Sequence, residues 1–375
     1  MAGVLAILTP DDLAPWLEAW DRLAVARALP YAAPAWMLAW WRHAAPASSR
    51  LVVVVVHEDG RLIGVAPWHE DRTRTGLRVA RLLGTGHRVE PLAEPGREPE
   101  VAREVAACLA SLADGPGALS LDRVDARSPW PLLLARESPG GGRVADRELT
   151  PAPVVRLEGT SFDAWLASRS RNFRDQRAQA RRRIDRAGGV IRLVDQPAEV
   201  DAAIEAFVGI TADRWANGAW GGPPRGGGVG AMLREAAAEM VPAGRMRIWK
   251  LDVDGETASV QVFVAADGEL AYWNGGFDDR WSRLRPGFET IVRAIEHAFA
   301  QGDRRLDLGG GAMAYKRRLA DDDEPLASAM VLPGGGPRRA LHEAQLLPRQ
   351  LDRLAVRAAR RLPDGVTERL RRLRR

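Results

Sequence analysis

Residues 306–320 read LDLGGGAMAYKRRLA: a short apolar run, Leu306-Asp307-Leu308, breaks into three glycines and then places Tyr315 beside Lys316. Three readings are open: a phosphate cradle, an acyl-transfer site, or a plain turn. A P-loop needs a glycine directly before the lysine and a Ser or Thr directly after it, so that backbone N–H groups wrap the phosphates and the hydroxyl reaches Mg²⁺. Tyr315 and Arg317 stand in those places and exclude it. No Gly-x-Gly-x-x-Gly opens a helix after a first strand, so a dinucleotide fold is excluded too. The glycines fit a strand end at which the backbone can approach a ligand closely.

The run RPGFETIVRAIEHAFAQG, just upstream, predicts a helix able to face an anion. Pro286 suits a first helical turn. Phe288, Ile291, Val292, Ile295 and Phe299 form one apolar stripe that packs on a sheet, with His297 pointing away from it. The loop before it, DDRWSRLR, carries Arg283 and Arg285. With the free N–H groups and the helix dipole these would suit a pyrophosphate; ordinary solvated loop arginines are the alternative.

The elements that must position these residues are duplicated. LVVVVVHEDGRLIGVAPWH at 51–69 reads as strand, Asp-Gly turn, strand, and MRIWKLDVDGETASVQVFV at 246–264 repeats that plan. In each half a helix follows (99–113, 286–302) and then a closing strand (118–124, 304–310). Two similar halves with mixed sheets flanked by helices make an α+β fold, divided here as 1–155, 156–335 and a basic helical tail, 336–375.

Between the halves Thr160 with Asp163 resembles a capping box before FDAWLASRS, a second helix covers 171–186 and a third 198–216. The second carries Arg171, Arg174 and Arg181 around a stripe of Phe173, Ala180 and Ile184. Those arginines read as a solvated face, or as a site for an anionic acceptor such as a nucleotide sugar or lipid-linked sugar. Trp215, Trp220 and Trp273 read as core residues or as stacking platforms for a sugar ring. NGAWGGPPRGGGVG, after the third helix, reads as a loop over a site or a passive linker.

Formal charge is +5, yet residues 337–375 hold twelve Arg against four acids, so the rest of the chain is slightly acidic. The tail reads as a helix packed on its own domain, with docking on a membrane surface or an anionic polymer as the alternative. The N-terminus lacks a signal-peptide pattern and no apolar run reaches membrane-spanning length, which predicts a cytoplasmic protein, with membrane-peripheral contact through the tail as a variant. The single cysteine, Cys108, falls on an apolar helical face and cannot pair within the chain. Six scattered histidines give no metal-ligand spacing, so no metal is expected.

The ordered set of strand, Asp-Gly turn, strand, YWNGGFDDRW, PGFETIVRAIEHAFAQG and LDLGGGAMAYKRRLA resembles the GNAT-like acyltransferases associated with cellulose and other polysaccharide biosynthesis, relatives of the Fem peptidoglycan aminoacyl transferases. The resemblance is best over 160–320. It implies tandem GNAT-like folds and an acyl-CoA-dependent N- or O-acyltransferase acting on a sugar, amino sugar or polysaccharide precursor, with acetyl-CoA or another acyl-CoA held by the second half. It also implies backbone contact with the donor around Asn274 and Gly275, donor contacts from Arg283, Arg285, Gly287 and Lys316, Tyr315 as the acid that protonates the leaving thiolate, and Asp307 as a base or substrate anchor. Strand alternation leaves open that Asp307 is instead buried against an Arg. The usual pyrophosphate loop is an Arg or Gln, two residues, Gly, one residue, then Gly or Ala. Arg283-Leu284-Arg285-Pro286-Gly287-Phe288 departs from it, which keeps two alternatives: a Fem-like donor, aminoacyl-tRNA, although nucleic acid is the less expected partner, and a non-catalytic assembly factor of a polysaccharide machine.

Overall fold

A computed structural model describes residues 2–334 apart from 74, 75, 85, 217–227 and 312, together with 340, 343 and 344; for 2 and 213–216 it describes the backbone alone. The glycine-rich stretch 217–227, Trp220, the side chain of Trp215 and nearly all of the basic tail lie outside the described residues.

The first half comprises β1 (Ala2–Ile7), α1 (Leu17–Ala26), α2 (Pro34–Ala44), β2 (Arg50–Glu58), β3 (Arg61–Arg72), β4 (Arg78–Leu82), β5 (Leu92–Ala93), α3 (Glu98–Ser111), β6 (Ala118–Asp125), α4 (Trp130–Glu137) and β7 (Arg143–Thr150). The second begins with β8 (Pro153–Arg156), α5 (Phe162–Ser168), α6 (Arg171–Arg186), β9 (Val190–Val194), α7 (Pro197–Ala216) and α8 (Val229–Met240). It continues through β10 (Met246–Val253), β11 (Glu256–Ala266), β12 (Glu269–Phe277), α9 (Pro286–Gln301), β13 (Arg305–Asp307), α10 (Ala314–Leu319), β14 (Asp322–Asp323) and β15 (Leu326–Leu332).

Local chemistry accounts for the turns. Asp59-Gly60 and Asp254-Gly255 both take positive φ at both positions, as a tight two-residue hairpin requires, and Asp267-Gly268 makes a third such turn between β11 and β12. Ser161, not Thr160, caps α5 by accepting from the Ala164 N–H, and Ser170 caps α6 in the same way through Phe173.

The first sheet runs β1-β2-β3-β4-β6-β15-β7, with β5 beside β3; the second runs β9-β10-β11-β12-β13-β8-β14. Position by position the pairings agree: antiparallel strands up to β4 or β12, one parallel contact (β4–β6, β12–β13), then antiparallel strands again. The sheets also exchange strands. β8, which begins before residue 156, lies in the second sheet, and β15, inside 156–335, fills the equivalent place in the first.

Each sheet buries one face under its own helices, α3 and α4 for the first and α5, α6 and α9 for the second. The other faces share a core with α1, α2, α7 and α8 in which Trp20, Trp36, Phe207 and Leu233 are fully buried, each contributing roughly 1.5–3 kcal/mol or more of transfer free energy. Cys108 is buried among the helices of the first half. His297 packs against the ring of Trp249 on β10 at 5.2 Å rather than pointing away from the sheet.

Candidate active site

β12 and β13 pair in parallel through Glu269↔Arg305, Leu270↔Leu306 and Ala271↔Asp307, and there the pairing ends. β12 continues to Phe277, paired on its other side with β11. The chain beyond β13 turns off: the Leu308 N–H donates to the Pro153 carbonyl and that of Gly311 to the Pro151 carbonyl. Along residues 272–277 no strand among the described residues therefore pairs with β12 on the side that β13 leaves. A register shift between Val262↔Asn274 and Phe263↔Tyr272 makes Trp273 an extra residue, a bulge that re-aims the strand at that point. Trp273 itself sits against Trp36 and Phe207, in the core.

A polar chain crosses the apolar face behind this edge. Tyr315, on α10, is hydrogen-bonded to Tyr272. Tyr272 Oη donates to Gln261 Oε1 at 2.9 Å, and Gln261 Nε2 donates to Ser259 Oγ at 2.9 Å and to the Gly276 carbonyl at 3.2 Å. The Gly276 oxygen can only accept, so it fixes which end of the Gln261 amide faces Tyr272. Tyr272 thus spends its one proton on Gln261, and its oxygen accepts from Tyr315. Burial pushes the Tyr315 hydroxyl up to about 12, so it carries its proton at neutral pH.

Gly275 is where this chain passes closest to the backbone. A Cβ there would overlap Gln261 Oε1 and lie 2.7 Å from Tyr272 Oη. Asn274 accepts the Gly275 N–H on its own Oδ1 at 2.8 Å and so braces the bulge. From sequence Tyr272 stands out only as part of the strand Tyr272-Trp273-Asn274-Gly275 whose backbone would meet the donor, and Gln261 and Ser259 do not stand out. The available signal was Ser259 and Gln261 at period two in the apolar strand ASVQVFV, since buried polar groups need partners.

Asp307 takes the alternative course and is buried against an arginine. Its side chain is 1 % exposed, accepts from Arg88 Nε at 2.6 Å and from the Gly309 N–H at 2.7 Å. Burial alone would raise its pKa, but the Arg88 guanidinium, with Arg305 behind it, holds the carboxyl below the usual aspartate value. A carboxylate so committed is a poor base, and Asp307 ties the halves together instead. Lys316 is also drawn inward: it is 5 % exposed, its Nζ donates to the Gly310 carbonyl at 3.1 Å, and burial pushes it down to about 8 against the pull of Asp307. It staples the glycine turn rather than standing as a surface lysine.

The first half supplies the other wall. The His87 ring lies where a Cβ on Gly309 would be, Gly309 having φ +76°, and Tyr31 meets that ring edge-on at 5.9 Å. Burial drives His87 down to about 3, so it is neutral. Beyond Arg88 a cavity of about 390 Å³ lies on the seam, lined by residues such as Glu90, Asp125, Glu269 and Arg305.

At the start of α9, Pro286 and Gly287 are buried and a Cβ on Gly287 would stand 3.2 Å from the Phe277 ring. Arg285 caps the helix in a left-handed conformation (φ 55°, ψ 50°) and reaches Gln176 on α6. The Arg283 carbonyl accepts from Arg183. Of the α6 arginines, Arg171 is exposed beside Asp175, Arg174 bonds the Ala167 carbonyl, and Arg181 lines a cavity of about 210 Å³ with Glu289 and Arg293. That cavity's lining includes neither Tyr315 nor the glycine turn, so the structure does not gather the three into one acceptor site.

Against known proteins, residues 171–317 match the family model for an acetyltransferase (GNAT) domain. A search of curated proteins finds no sequence match. Among solved structures, FemX superposes with a TM-score of 0.59 at 11 % identity, covering 87 % of this chain and 96 % of that one. The C-terminal domain of an Agrobacterium fabrum protein assigned as a lysylphosphatidylglycerol synthetase gives 0.54 at 13 % identity, covering 88 % and 95 %. A Bacteroides thetaiotaomicron protein of unknown function gives 0.51 at 9 % identity, covering 89 % and 100 %. At these identities the likeness is one of fold. Among the described residues no helix is long and apolar enough to cross a membrane. The chain is built as two GNAT-like folds in tandem, and residues 171–317 of its second half are similar to an acetyltransferase (GNAT) domain.

Proposed function

We propose that the protein is an acyl-CoA-dependent N- or O-acyltransferase that acts on a sugar, amino sugar or polysaccharide precursor. One observation carries the transfer chemistry: β13 leaves β12 after Ala271, and Tyr315, which carries its proton, is hydrogen-bonded to Tyr272 just beyond that point. An extended, amide-bearing thioester arm can pair with residues 272–277 as an added strand would, which places its carbonyl near the bulge. The acceptor nitrogen or oxygen attacks the thioester carbon, the carbon–sulfur bond breaks, and the departing sulfur takes the Tyr315 proton, while the acceptor gives up its own proton to water and Tyr315 recovers one from water. A backbone N–H of β12 other than that of Gly275, which Asn274 already accepts, polarises the carbonyl. Asp307 has no part in proton removal, because Arg88 and Gly309 already occupy it.

The acceptor class rests on the family resemblance, as does contact of the basic tail with a membrane or an anionic polymer. A cytoplasmic setting suits an acyl-CoA donor. The test is release of free thiol from acetyl-CoA by the purified full-length chain, with and without amino-sugar acceptors; no turnover of acetyl- or longer acyl-CoA contradicts the reading. A Fem-like donor is the second reading, favoured by Arg285 standing in a left-handed turn where a CoA-binding loop would use glycine. It requires RNA binding that weakens steeply with salt.

A further inference from the structure

The seam cavity of about 390 Å³ is lined by Arg305, at the end of β13 away from the glycine turn. Arg305 and Asp307 alternate with Leu306, which shares the core under α9 with Tyr272, so both face the first half. The cavity therefore lies on the opposite face of the second sheet from the chain of Tyr315, Tyr272 and Gln261.

Its walls carry more acid than base. Four lining carboxylates, those of Glu90, Asp125, Glu269 and Glu324, meet three guanidiniums, those of Arg88, Arg127 and Arg305. The guanidiniums are taken: Arg88 by Asp125 and Asp307, Arg127 by Asp125, and Arg305 by Glu269 and Glu324. Glu90 is in no ion pair among the described residues, and its Oε2 is buried with no hydrogen-bond partner. Arg305 Nε is likewise buried without an acceptor. Each costs free energy as it stands, and a ligand with matching groups removes that cost.

These two atoms define the ligand. Glu90 Oε2 suits a positive charge. A divalent metal takes about six oxygens, and the other carboxylates here are already committed to arginines; an organic ammonium needs one strong contact. Arg305 Nε needs an oxygen. With Glu269 and Glu324 beside it, a neutral hydroxyl fits where a further carboxylate is repelled. The volume is that of a small-molecule site.

We propose that the seam cavity binds a small amino alcohol, with its ammonium on Glu90 and a hydroxyl on Arg305. The site goes beyond the acyl-transfer reading and does not rest on it, since no donor takes part.

Binding is linked to pH. Glu90 is faced by Ser128, which hydrogen-bonds it, by Arg27 at the end of α1, by Arg88 and Asp125, and across the cavity by Arg127, Glu269, Arg305 and Glu324. Burial pushes Glu90 up to about 7, so below that pH an incoming ammonium must displace its proton. An alkylammonium stays charged through about pH 8. Affinity should therefore rise about tenfold from pH 6 to pH 8, with a proton released on binding at pH 6.

Calorimetric titration of the full-length chain without an acyl donor tests this, using glucamine, sorbitol, hexylamine and magnesium chloride. Glucamine should bind once per chain. Sorbitol, which lacks the ammonium, and hexylamine, which lacks the hydroxyls, should each bind at least about tenfold more weakly. Glu90→Gln keeps the shape of the protonated side chain, so it folds, and its melting temperature checks that. It should weaken glucamine about tenfold and abolish both the pH slope and the proton release, which a merely structural loss would not do. Sorbitol or hexylamine binding as tightly as glucamine sinks the amino-alcohol assignment. Unchanged glucamine affinity in Glu90→Gln, magnesium bound in place of glucamine, or no glucamine binding overturns the site. Thioester turnover without glucamine binding sinks this site alone, and glucamine binding without turnover sinks only the acyl-transfer reading, so the two failures are distinguishable.

Discussion

The two halves share an order of strands and differ at one joint. In the second, β12 runs on past its last pairing with β13, and over residues 272–277 no strand among the described residues pairs with it on that side. In the first, β4 stops at Leu82, one residue beyond Arg81↔Ser120, and the chain folds back on itself. The Leu83 N–H donates to the Pro67 carbonyl and that of Arg88 to the Arg123 carbonyl. The register between β3 and β4 is unbroken, whereas that between β11 and β12 carries the Trp273 bulge. The following helices differ in the same sense. α3 opens with Glu98 and Glu100, and the nearby Arg97 is spent on Glu58 and Glu100; α9 opens with Pro286 and Gly287 behind Arg285. Both first turns hold an acid, Glu289 in α9, but burial pushes Glu289 up to about 7, so its charge opposes an anionic donor less than those of Glu98 and Glu100 do. One copy of the fold keeps the opening, and the other lends it a wall through Tyr31, His87 and Arg88.

The harshest way to break that relation is at the wall. Arg88→Met leaves Asp307 buried without its partner, and should cost about 3–5 kcal/mol in urea or thermal unfolding. If Arg88→Met and Asp307→Asn both unfold like the parent, the halves are not joined there. Next comes the acid. Tyr315→Phe should slow thioester turnover about 10²–10³-fold with CoA affinity nearly unchanged. Tyr272→Phe should act through Tyr315, so the double variant loses no more than Tyr315→Phe alone; additive losses would refute the polarity assigned to the chain. The chain has three tyrosines, which makes each variant's ultraviolet titration readable.

Gly275→Ala sharpens the comparison by displacing Gln261 and Tyr272 while leaving the first half untouched. About 10²-fold lower turnover is expected, as a misplacement near 1 Å can cause. A fully active variant would separate the polar chain from catalysis. The smallest effect is a pH slope shared by the seam. Glu90 and Glu269 both line the cavity, and burial pushes each up to about 7, against opposing arginines. Since the folded state keeps these protons at pH values where the unfolded chain, near 4.5, has lost them, stability falls as pH rises from about 4.5 through 7. Glu90→Gln should flatten that fall by about 1 kcal/mol or more, and an unchanged slope between pH 5 and 7.5 would show that Glu90 is ionised in the fold. Asp307 has the opposite sign, contributing stability above the unfolded aspartate value that is lost as pH falls below it.

The duplicated plan was legible because its signals are local. Two Asp-Gly turns, the stop of α6 before Gly188 and the start of α9 at Pro286 depend on neighbouring residues alone, and each stands within a residue of where the pattern puts it. Tyr315 could be found because glycines and a strand mark its place. Its partners could not, since the Tyr272–Gln261 contact depends on a bulge that shifts cross-strand register. Arg88 stands 219 residues from Asp307, and β15 leaves the second half to complete the first sheet; nothing in a single chain's periodicity reports either. Strand alternation kept open whether Asp307 met solvent or an arginine, and only tertiary packing decides that.

The central claim is that one half holds the donor and the other only walls it. Calorimetric titration of the full-length protein with acetyl-CoA tests this most directly. A single molecule bound per chain is the predicted result. Two molecules per chain would contradict the division between the halves, and none would contradict the donor itself.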